Sequence, residues 1–155
     1  MARTFRHSFA VDADIDRVWD FYTDINHLKV ITPPQLQLEI VRTTAAGNRL
    51  DEGAEVWLSA RYAAIRARWH SKITLARKYV YVDEMLEGLF PYWKHTHTFE
   101  KEEGDTKATI VKDEVEFEMP YGIFGKLLLE GYAMSQLEKI FAHRKEATIR
   151  ALSRR

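Results

Sequence analysis

The fold is decided by the segment GIFGKLLLEGYAMSQLEKIFAHRKEATIRAL, residues 122–152. Apolar side chains recur in it at helical spacing and define one stripe. The residues on this stripe are Phe124, Leu127, Leu128, Met134, Leu137 and Phe141. Pro120 interrupts the pattern that precedes it, because proline lacks the backbone donor. The spacing predicts one long helix, and we expect its apolar stripe to lie across the concave face of a sheet.

Strand-like alternation fills the region before this helix. It is broken by turn residues near 46–48, 87–88 and 103–105. The predicted strands cover residues 36–44, 53–63, 66–77, 79–87, 92–102 and 106–118. Such a series of strands joined by short turns predicts an antiparallel meander.

The first part of the chain predicts a strand followed by helices. Residues 4–11 alternate with Phe5, His7 and Phe9 in one phase, which is typical of a strand with one buried face. Asp12 is the predicted N-cap of a helix that follows, and a second short helix is expected over 26–30. The resulting order, β-α-α-β6-α, predicts a single α+β domain over residues 1–155. In it, a curved antiparallel sheet of about seven strands wraps a long helix and leaves a pocket.

Composition excludes several classes of function. Hydrophobic residues make up 46% of the 155 residues, and the 23 basic residues are balanced by 23 acidic ones. This balance gives no reason to expect a nucleic-acid partner. The absence of cysteine excludes disulfides, thiolate metal sites and a cysteine nucleophile. No run is long enough to cross a bilayer and residues 1–10 are polar, so we expect a cytoplasmic protein with at most transient membrane contact.

Short motifs in the middle of the chain carry a family resemblance. They are Tyr81-Val82-Asp83-Glu84, then Gly88, Phe90, Trp93, His95, His97 and Phe99, and then Asp113-x-Val115-x-Phe117-x-x-Pro120-x-Gly122. With the element order, they resemble the SRPBCC or START-like superfamily, which includes plant pathogenesis allergens, polyketide cyclases and coenzyme-Q-binding proteins, and within it a bacterial subgroup. The resemblance implies the helix-grip fold and a lipid, sterol, quinone, hormone or polyketide ligand. It implies no particular reaction.

The two histidines of the predicted fifth meander strand are the main candidates for chemistry. His95 and His97 share a phase with two aromatic residues, which predicts that both imidazoles face inward. Asp113 has the inward phase of the next strand and should lie opposite one of them. A carboxylate that holds an imidazole fixes its tautomer and raises its basicity, as a general base requires. A structural or ligand-anchoring pair is the simpler interpretation and the favoured one.

A metal site is the alternative use of two histidines at this spacing. The third ligand would have to come from Asp113, or from Glu130 on the long helix. No spacing demands such a ligand, so the sequence predicts neither a metal ion nor a cofactor. Glu130 is instead a candidate to face the pocket or to reach solvent at the margin of the stripe.

The predicted pocket draws its lining from the inward phases of the strands and from the helix stripe. Trp69 is assigned to the inner face, because the basic residues Arg66 and Arg68 occupy the other phase. The basic residues Arg144, Lys145, Arg150, Arg154 and Arg155 are assigned to complementing the helix dipole. The predicted lining residues are Trp69, Trp93, His95, His97, Phe99, Asp113, Val115, Phe117, Leu127, Glu130 and Met134.

Three hypotheses for function follow. The first is a binding or carrier protein for a hydrophobic small molecule such as a lipid, a quinone or a polycyclic aromatic compound, as a monomer or homodimer. The second is a cofactor-independent cyclase, dehydratase or isomerase that uses His97 or His95 with Asp113 as general base. The third is a regulatory or assembly protein that acts through its surface.

Overall fold

The computed structural model describes the backbone of residues 1–62 and 64–153, with all of their side chains except those of 105 and 106. The strands are β1 (Arg3–Val11), β2 (Glu39–Thr43), β3 (Glu55–Tyr62), β4 (Ile65–Arg77), β5 (Val80–Glu87), β6 (Tyr92–Glu102) and β7 (Asp105–Glu118). The α-helices are α1 (Ile15–Tyr22) and α2 (Gly122–Leu152). All predicted strands are present, and the long helix begins and ends where its spacing predicts.

The strands form one antiparallel sheet in the order β1-β7-β6-β5-β4-β3-β2. Short turns make neighbours in the chain neighbours in the sheet from β2 to β7. Strand β1 closes the other edge by pairing with β7, from Arg3 opposite Phe117 to Val11 opposite Thr109. The predicted α+β helix-grip architecture is confirmed, and the pairing of β1 with β7 brings the first strand beside the segment that carries Asp113.

The start of helix α1 differs from its prediction. Its N-cap is Asp14, whose side chain accepts a hydrogen bond from the backbone N–H of Asp16, and not Asp12. The N–H of Ala13 donates to the carbonyl of Val11, so the chain turns once after β1 before the helix can begin. The second predicted helix is a single 3-10 turn over Ile25–Leu28. Two more 3-10 turns cover Pro34–Leu36 and Ala46–Asn48.

An ion pair fixes the middle of helix α2 to the sheet. Glu130 forms an ion pair with Arg3 of β1, with 3.2 Å between Oε1 and Nη1. Partial burial raises the pKa of Tyr62 at the end of β3, and the adjacent Tyr132 adds to this effect. The ion pair fixes this part of helix α2 to the edge strand β1.

The two halves of helix α2 differ in burial. The second half packs on the sheet through Leu137, Phe141 and Leu152, which are at most 6% exposed. The first half leaves Phe124, Leu127, Leu128 and other apolar side chains 41–77% exposed. The sheet therefore covers the second part of the apolar stripe, and Leu127, which was predicted to line the pocket, lies on the exposed part. No helix in the described part of the chain combines the length and hydropathy needed to span a membrane.

Two glycines of helix α2 give a matched pair of predictions. A Cβ on Gly125 would collide with the backbone carbonyl of Pro120, whereas a Cβ on Gly131 would meet no atom within 4 Å. Gly125→Ala should lower the free energy of unfolding by about 1–3 kcal/mol. Gly131→Ala should raise it by up to about 1 kcal/mol, because alanine is the better helix former. Urea unfolding measures both, and shifts of the same sign would contradict the described start of the helix.

Candidate functional site

Two rows of polar residues cross the concave face of the sheet. In the first, Cα pairing joins His7 to Asp113, Asp113 to His97 and His97 to Tyr81. Residues paired in this way share a face, so all four side chains lie under helix α2. The neighbouring row brings Asp83 beside His95 by the same rule. Four strands therefore place two carboxylates and three imidazoles in one patch.

Apolar rows enclose this patch along the strands. Phe9, Val111 and Phe99 form the row on one side, and Phe117 and Trp93 are paired on the other. Val111 and Phe117 are no more than 1% exposed. The polar patch is therefore an island inside the hydrophobic core, where each ionisable group loses its hydration and needs partners.

Each of two imidazoles lies between two carboxylates. His95 donates from Nε2 to Asp113 Oδ1 over 2.8 Å, and its Nδ1 lies 3.8 Å from Asp83 Oδ2. His97 donates from Nε2 to Asp83 Oδ2 over 2.7 Å, and its Nδ1 lies 3.3 Å from Asp113 Oδ1. The predicted histidine–Asp113 hydrogen bond is present and uses His95. Asp83, which was not predicted to take part, is the second carboxylate.

Burial separates the two carboxylates. The Asp113 side chain is 1% exposed, whereas that of Asp83 is 23% exposed. The His97 ring is covered by stacking against Tyr81 at a centroid distance of 3.9 Å. Asp83 is thus the member of the cluster through which solvent or a small ion has access.

Helix α2 covers the cluster with one aromatic and one cationic side chain. The Phe141 ring lies 5.5 Å from that of His95 and 5.7 Å from that of His7. The Arg144 guanidinium lies 5.1 Å from the Phe141 ring and 5.8 Å from that of Tyr22. Arg144 is only 8% exposed, so complementing the helix dipole does not explain its position. It follows Phe141 by three residues and therefore shares the buried face of the helix.

Electrostatics make this patch strongly charged despite its burial. Burial and the neighbouring His97 ring lower the pKa of His95 to about 4, although Asp113 acts against them. Burial would raise the pKa of Asp113, but the hydrogen bond from His95, the nearby His97 ring and the charge of Arg144 hold it well below the usual range. The pKa of Asp83 is lowered in the same way. At neutral pH, two carboxylates and one guanidinium are therefore charged beside a neutral His95.

The cluster also contains unused hydrogen-bonding capacity. Among the residues that the structure describes, four buried side-chain nitrogens lack a hydrogen-bond partner: His7 Nδ1, His97 Nδ1, Arg144 Nε and Arg144 Nη2. His7 and His97 are the two sheet partners of Asp113, and the pKa of Arg144 is raised most by the charge of Asp113. Buried polar groups normally have a partner in the protein or in ordered water. Each of these nitrogens is therefore free to bind water or a polar group of a ligand.

The low pKa of His95 predicts a dependence of stability on pH. The unfolded chain takes up this proton near pH 6.5 and the folded chain near pH 4, so the unfolded state binds more protons between these values. The contribution of His95 to stability is fully present above pH 6.5. The free energy of unfolding should fall by roughly 3 kcal/mol as the pH falls to 4. Urea unfolding with EDTA present measures this loss. His95→Gln should remove most of it, and an undiminished loss in that variant would assign the effect to other groups.

The predicted lining residues occupy three kinds of position. Trp93, Phe99, Val115 and Phe117 pack in the core around the polar patch, and Met134 borders it from helix α2. Trp69 packs on the core from β4, as its phase predicts. Leu127 is 75% exposed, and Glu130 is turned to Arg3. The structure thus brings His95, His97 and Asp113 together and leaves Leu127 and Glu130 outside the polar patch.

Two open depressions mark the surface, and both lie away from the interface between sheet and helix. One, of about 450 Å³, is on the outer face of β1, β6 and β7, where Lys112 and Glu114 contribute to its wall. The other, of about 420 Å³, lies beside helix α1 near Asp20 and Arg49. Under the second half of helix α2, Leu137 and Phe141 pack directly on the sheet. Apolar surface that is free to receive a ligand lies instead along the exposed first half of that helix.

Comparison with protein families gives one match. The family described as polyketide cyclase / dehydrase and lipid transport matches residues 11–140. This range contains every member of the polar patch except His7 and Arg144. No curated protein matches the chain at a significant level.

Solved structures share the fold at low sequence identity. A START superfamily protein from Mycobacterium smegmatis superposes with a TM-score of 0.73 at 9% identity, covering 96% of each chain. Norcoclaurine synthase from Thalictrum flavum, in complex with dopamine and hydroxybenzaldehyde, gives 0.68 at 17%, covering 99% of this chain and 90% of that one. The Zhui aromatase/cyclase from Streptomyces sp. R1128 gives 0.67 at 21%, covering 97% and 91%. At these identities the likeness shows the helix-grip fold alone.

Proposed function

Because the chain belongs to the polyketide cyclase / dehydrase and lipid transport family of the START-like superfamily, we propose that it binds a hydrophobic small molecule that carries an acceptor oxygen. Lipids with a carboxyl group, quinones and polycyclic aromatic ketones are ligands of this kind. The oxygen would face the polar patch under the second half of helix α2, and the apolar body would extend from it along the helix toward the exposed first half. The observation that carries the proposal is the set of unpartnered buried nitrogens around Asp113.

The donor chemistry of these nitrogens selects the ligand. Arg144 Nε and Nη2 can only donate, so their partner must be an acceptor such as a carbonyl, carboxylate or phenolate oxygen. A hydrogen bond from a charged donor contributes about 1.5–3 kcal/mol. Two carboxylates in the patch oppose a strongly anionic ligand, which favours a neutral or singly charged oxygen. The polar patch would therefore orient an otherwise apolar ligand through its oxygen.

Exposed apolar side chains supply the remaining affinity. Phe124, Leu127 and Leu128 are 73–77% exposed on one helix segment, and Leu89 and Ile65 add 57% and 71% exposed side chains. Several large apolar side chains exposed on one helix segment are unusual on a protein without a partner or ligand. Burying it would contribute about 25 cal/mol per Å² removed from water, before the costs of ordering. The fold comparisons are consistent with such use, since norcoclaurine synthase holds dopamine and hydroxybenzaldehyde in the same fold.

Matched ligand pairs test this function. EDTA-treated, untagged protein would be titrated with anthraquinone and anthracene, and with palmitate and hexadecane, by thermal shift and fluorescence. A ligand at a hundred times its Kd stabilises by about 2.7 kcal/mol, which is a Tm shift of roughly 5–10 °C. We expect the oxygen-bearing member of at least one pair to bind about tenfold or more tightly than its hydrocarbon. Absence of binding by every compound, with no small molecule retained in native mass spectra, would contradict the proposal.

The hydrogen bond from His95 to Asp113 favours a second candidate, proton transfer from a carbon acid within the bound ligand. In this alternative His97, whose Nδ1 has no hydrogen-bond partner, is the base. Asp83 fixes its tautomer by accepting from Nε2, and Asp113 positions the neighbouring His95. Once a ligand is identified, His97→Ala and Asp113→Asn should abolish its conversion while circular dichroism shows the fold intact. Unchanged conversion in both variants would remove this candidate and leave binding alone.

A further inference from the structure

One side of the polar patch has the ligand set of a divalent metal ion. We propose that Asp83, His95 and His97 bind a first-row divalent transition metal, through one atom each. Atoms of these three side chains that can ligate a metal lie within 4.8 Å of one another. The site goes beyond the proposed binding of a small molecule and does not depend on it.

The ligand atoms converge because of strand register. Asp83 of β5 is paired with His95 of β6, and His97 follows two residues later on the same face. Asp83 Oδ2 lies 3.8 Å from His95 Nδ1 and 2.7 Å from His97 Nε2. Ligands about 2.0–2.2 Å from one zinc ion are separated by distances of this order. A metal ion would therefore replace the proton between His97 and Asp83 with small shifts of the side chains.

Asp113 supports the assignment from the opposite side of both rings. It accepts a hydrogen bond from His95 Nε2 at 2.8 Å and lies 3.3 Å from His97 Nδ1. Histidines that ligate metals almost always direct their other ring nitrogen to a carboxylate, a carbonyl or water, which fixes the tautomer. One buried carboxylate performs this role for both histidines. A simple histidine–aspartate pair would need only one of these four contacts.

Access and charge are also compatible with a metal. Asp83 is the partly exposed member of the three, so an ion can enter at its carboxylate. Asp83 and Asp113 carry two negative charges against the single positive charge of Arg144, which leaves the patch with a net charge of −1 when the histidines are neutral. A divalent cation changes this to +1, and the positive charge of Arg144 is the main factor that opposes it. Nitrogen and carboxylate ligands together favour zinc, iron or nickel over calcium and magnesium.

Three protein ligands leave at least one open coordination position. Catalytic zinc sites have such a set, with water or substrate in the open position. The geometry therefore assigns a reactive type of site to this patch, rather than a closed structural one. A metal on His97 Nε2 leaves the ring proton on Nδ1, so this nitrogen cannot act as a base and metal binding excludes base catalysis by His97.

Direct titration tests the site without any organic ligand. Untagged protein stripped with EDTA would be titrated with Zn²⁺ by calorimetry and with Co²⁺ by visible absorption, and circular dichroism would verify the fold of each variant. We expect one ion per chain, with Co²⁺ bands of a nitrogen- and oxygen-ligated site. Asp83→Asn should abolish this binding, and Asp113→Asn should weaken it about 10–100-fold.

Glu55→Gln is the matched control. Glu55 Oε1 lies 3.0 Å from His70 Nε2 on the outer face of the sheet. This variant therefore removes a histidine–carboxylate hydrogen bond that lies outside the proposed metal site. Its metal affinity should equal that of the unaltered protein. Absence of binding at one ion per chain, or equal affinity in Asp83→Asn and Glu55→Gln, would overturn the proposal. The Co²⁺ spectrum of the unaltered chain decides the matter even if Asp113→Asn does not fold.

Discussion

Replacing Asp113 by alanine is expected to lower the free energy of unfolding by about 3–5 kcal/mol, the usual cost of removing one member of a buried charge cluster. The Asp113 carboxylate is 1% exposed and accepts the His95 hydrogen bond. It is also the charge that raises the pKa of Arg144 most. The variant leaves His95 without its acceptor and Arg144 with less compensation. Equilibrium urea unfolding at pH 7 measures the loss.

The control for this variant lies next to it on the same strand. Glu114 faces the other side of the sheet and forms an exposed ion pair with Arg6, so Glu114→Ala should cost less than about 1 kcal/mol. A double-mutant cycle with Arg144→Met then isolates the interaction of Arg144 with Asp113. The double variant should lose less stability than the sum of the two single losses. Additive losses would show that the guanidinium and the carboxylate do not interact.

Replacing Arg144 by methionine is expected to weaken binding of oxygen-bearing ligands by about 10–100-fold while leaving their hydrocarbon analogues unaffected. Methionine keeps most of the apolar length that packs on Phe141 and removes only the donors. Because Nε and Nη2 make no hydrogen bond to the protein, this loss of affinity should come from the ligand itself. Titration of each matched pair with the unaltered and variant proteins measures the effect.

A residue of helix α1 supplies a control for Arg144→Met. Arg17 donates to the carbonyl of Leu152 at the far end of helix α2, outside the polar patch, and Arg17→Met should not alter the preference for oxygen. Equal weakening of oxygen-bearing and oxygen-free ligands by Arg144→Met would point to a general disturbance of packing. It would contradict a specific contact with the guanidinium.

Much of the fold could be predicted because its signals are local. Alternation fixes which residues of a strand share a face, and a short turn fixes the register of the next strand. These two rules are enough to place Asp113 opposite His97 and to predict a histidine partner for it. The pairing of β1 with β7 joins segments about a hundred residues apart, and no local pattern specifies it. His7 therefore had an inward phase in the sequence but no predicted neighbour.

The site was predicted less completely, for reasons that differ between residues. Asp83 shares a phase with Tyr81, so alternation places it inward, but a charged carboxylate is ordinarily solvated. Arg144 lies on the helix stripe three residues after Phe141. Long charged side chains usually reach solvent, so this position alone did not predict its burial. Periodicity defines the stripe of a helix but not the length over which a sheet covers it. For that reason Leu127 was expected to line the pocket and lies instead on the exposed part of the helix.

The contact between ligand oxygen and Arg144 can be observed directly by nuclear magnetic resonance of protein labelled at arginine Nε. Addition of the strongest binder from the ligand pairs should shift the Arg144 Nε–H resonance, which is identified by its absence from the Arg144→Met spectrum, and slow its exchange with water. The Arg17 resonance should not move. An unchanged Arg144 resonance at saturating ligand would contradict the central claim that the buried nitrogens of this patch receive the ligand.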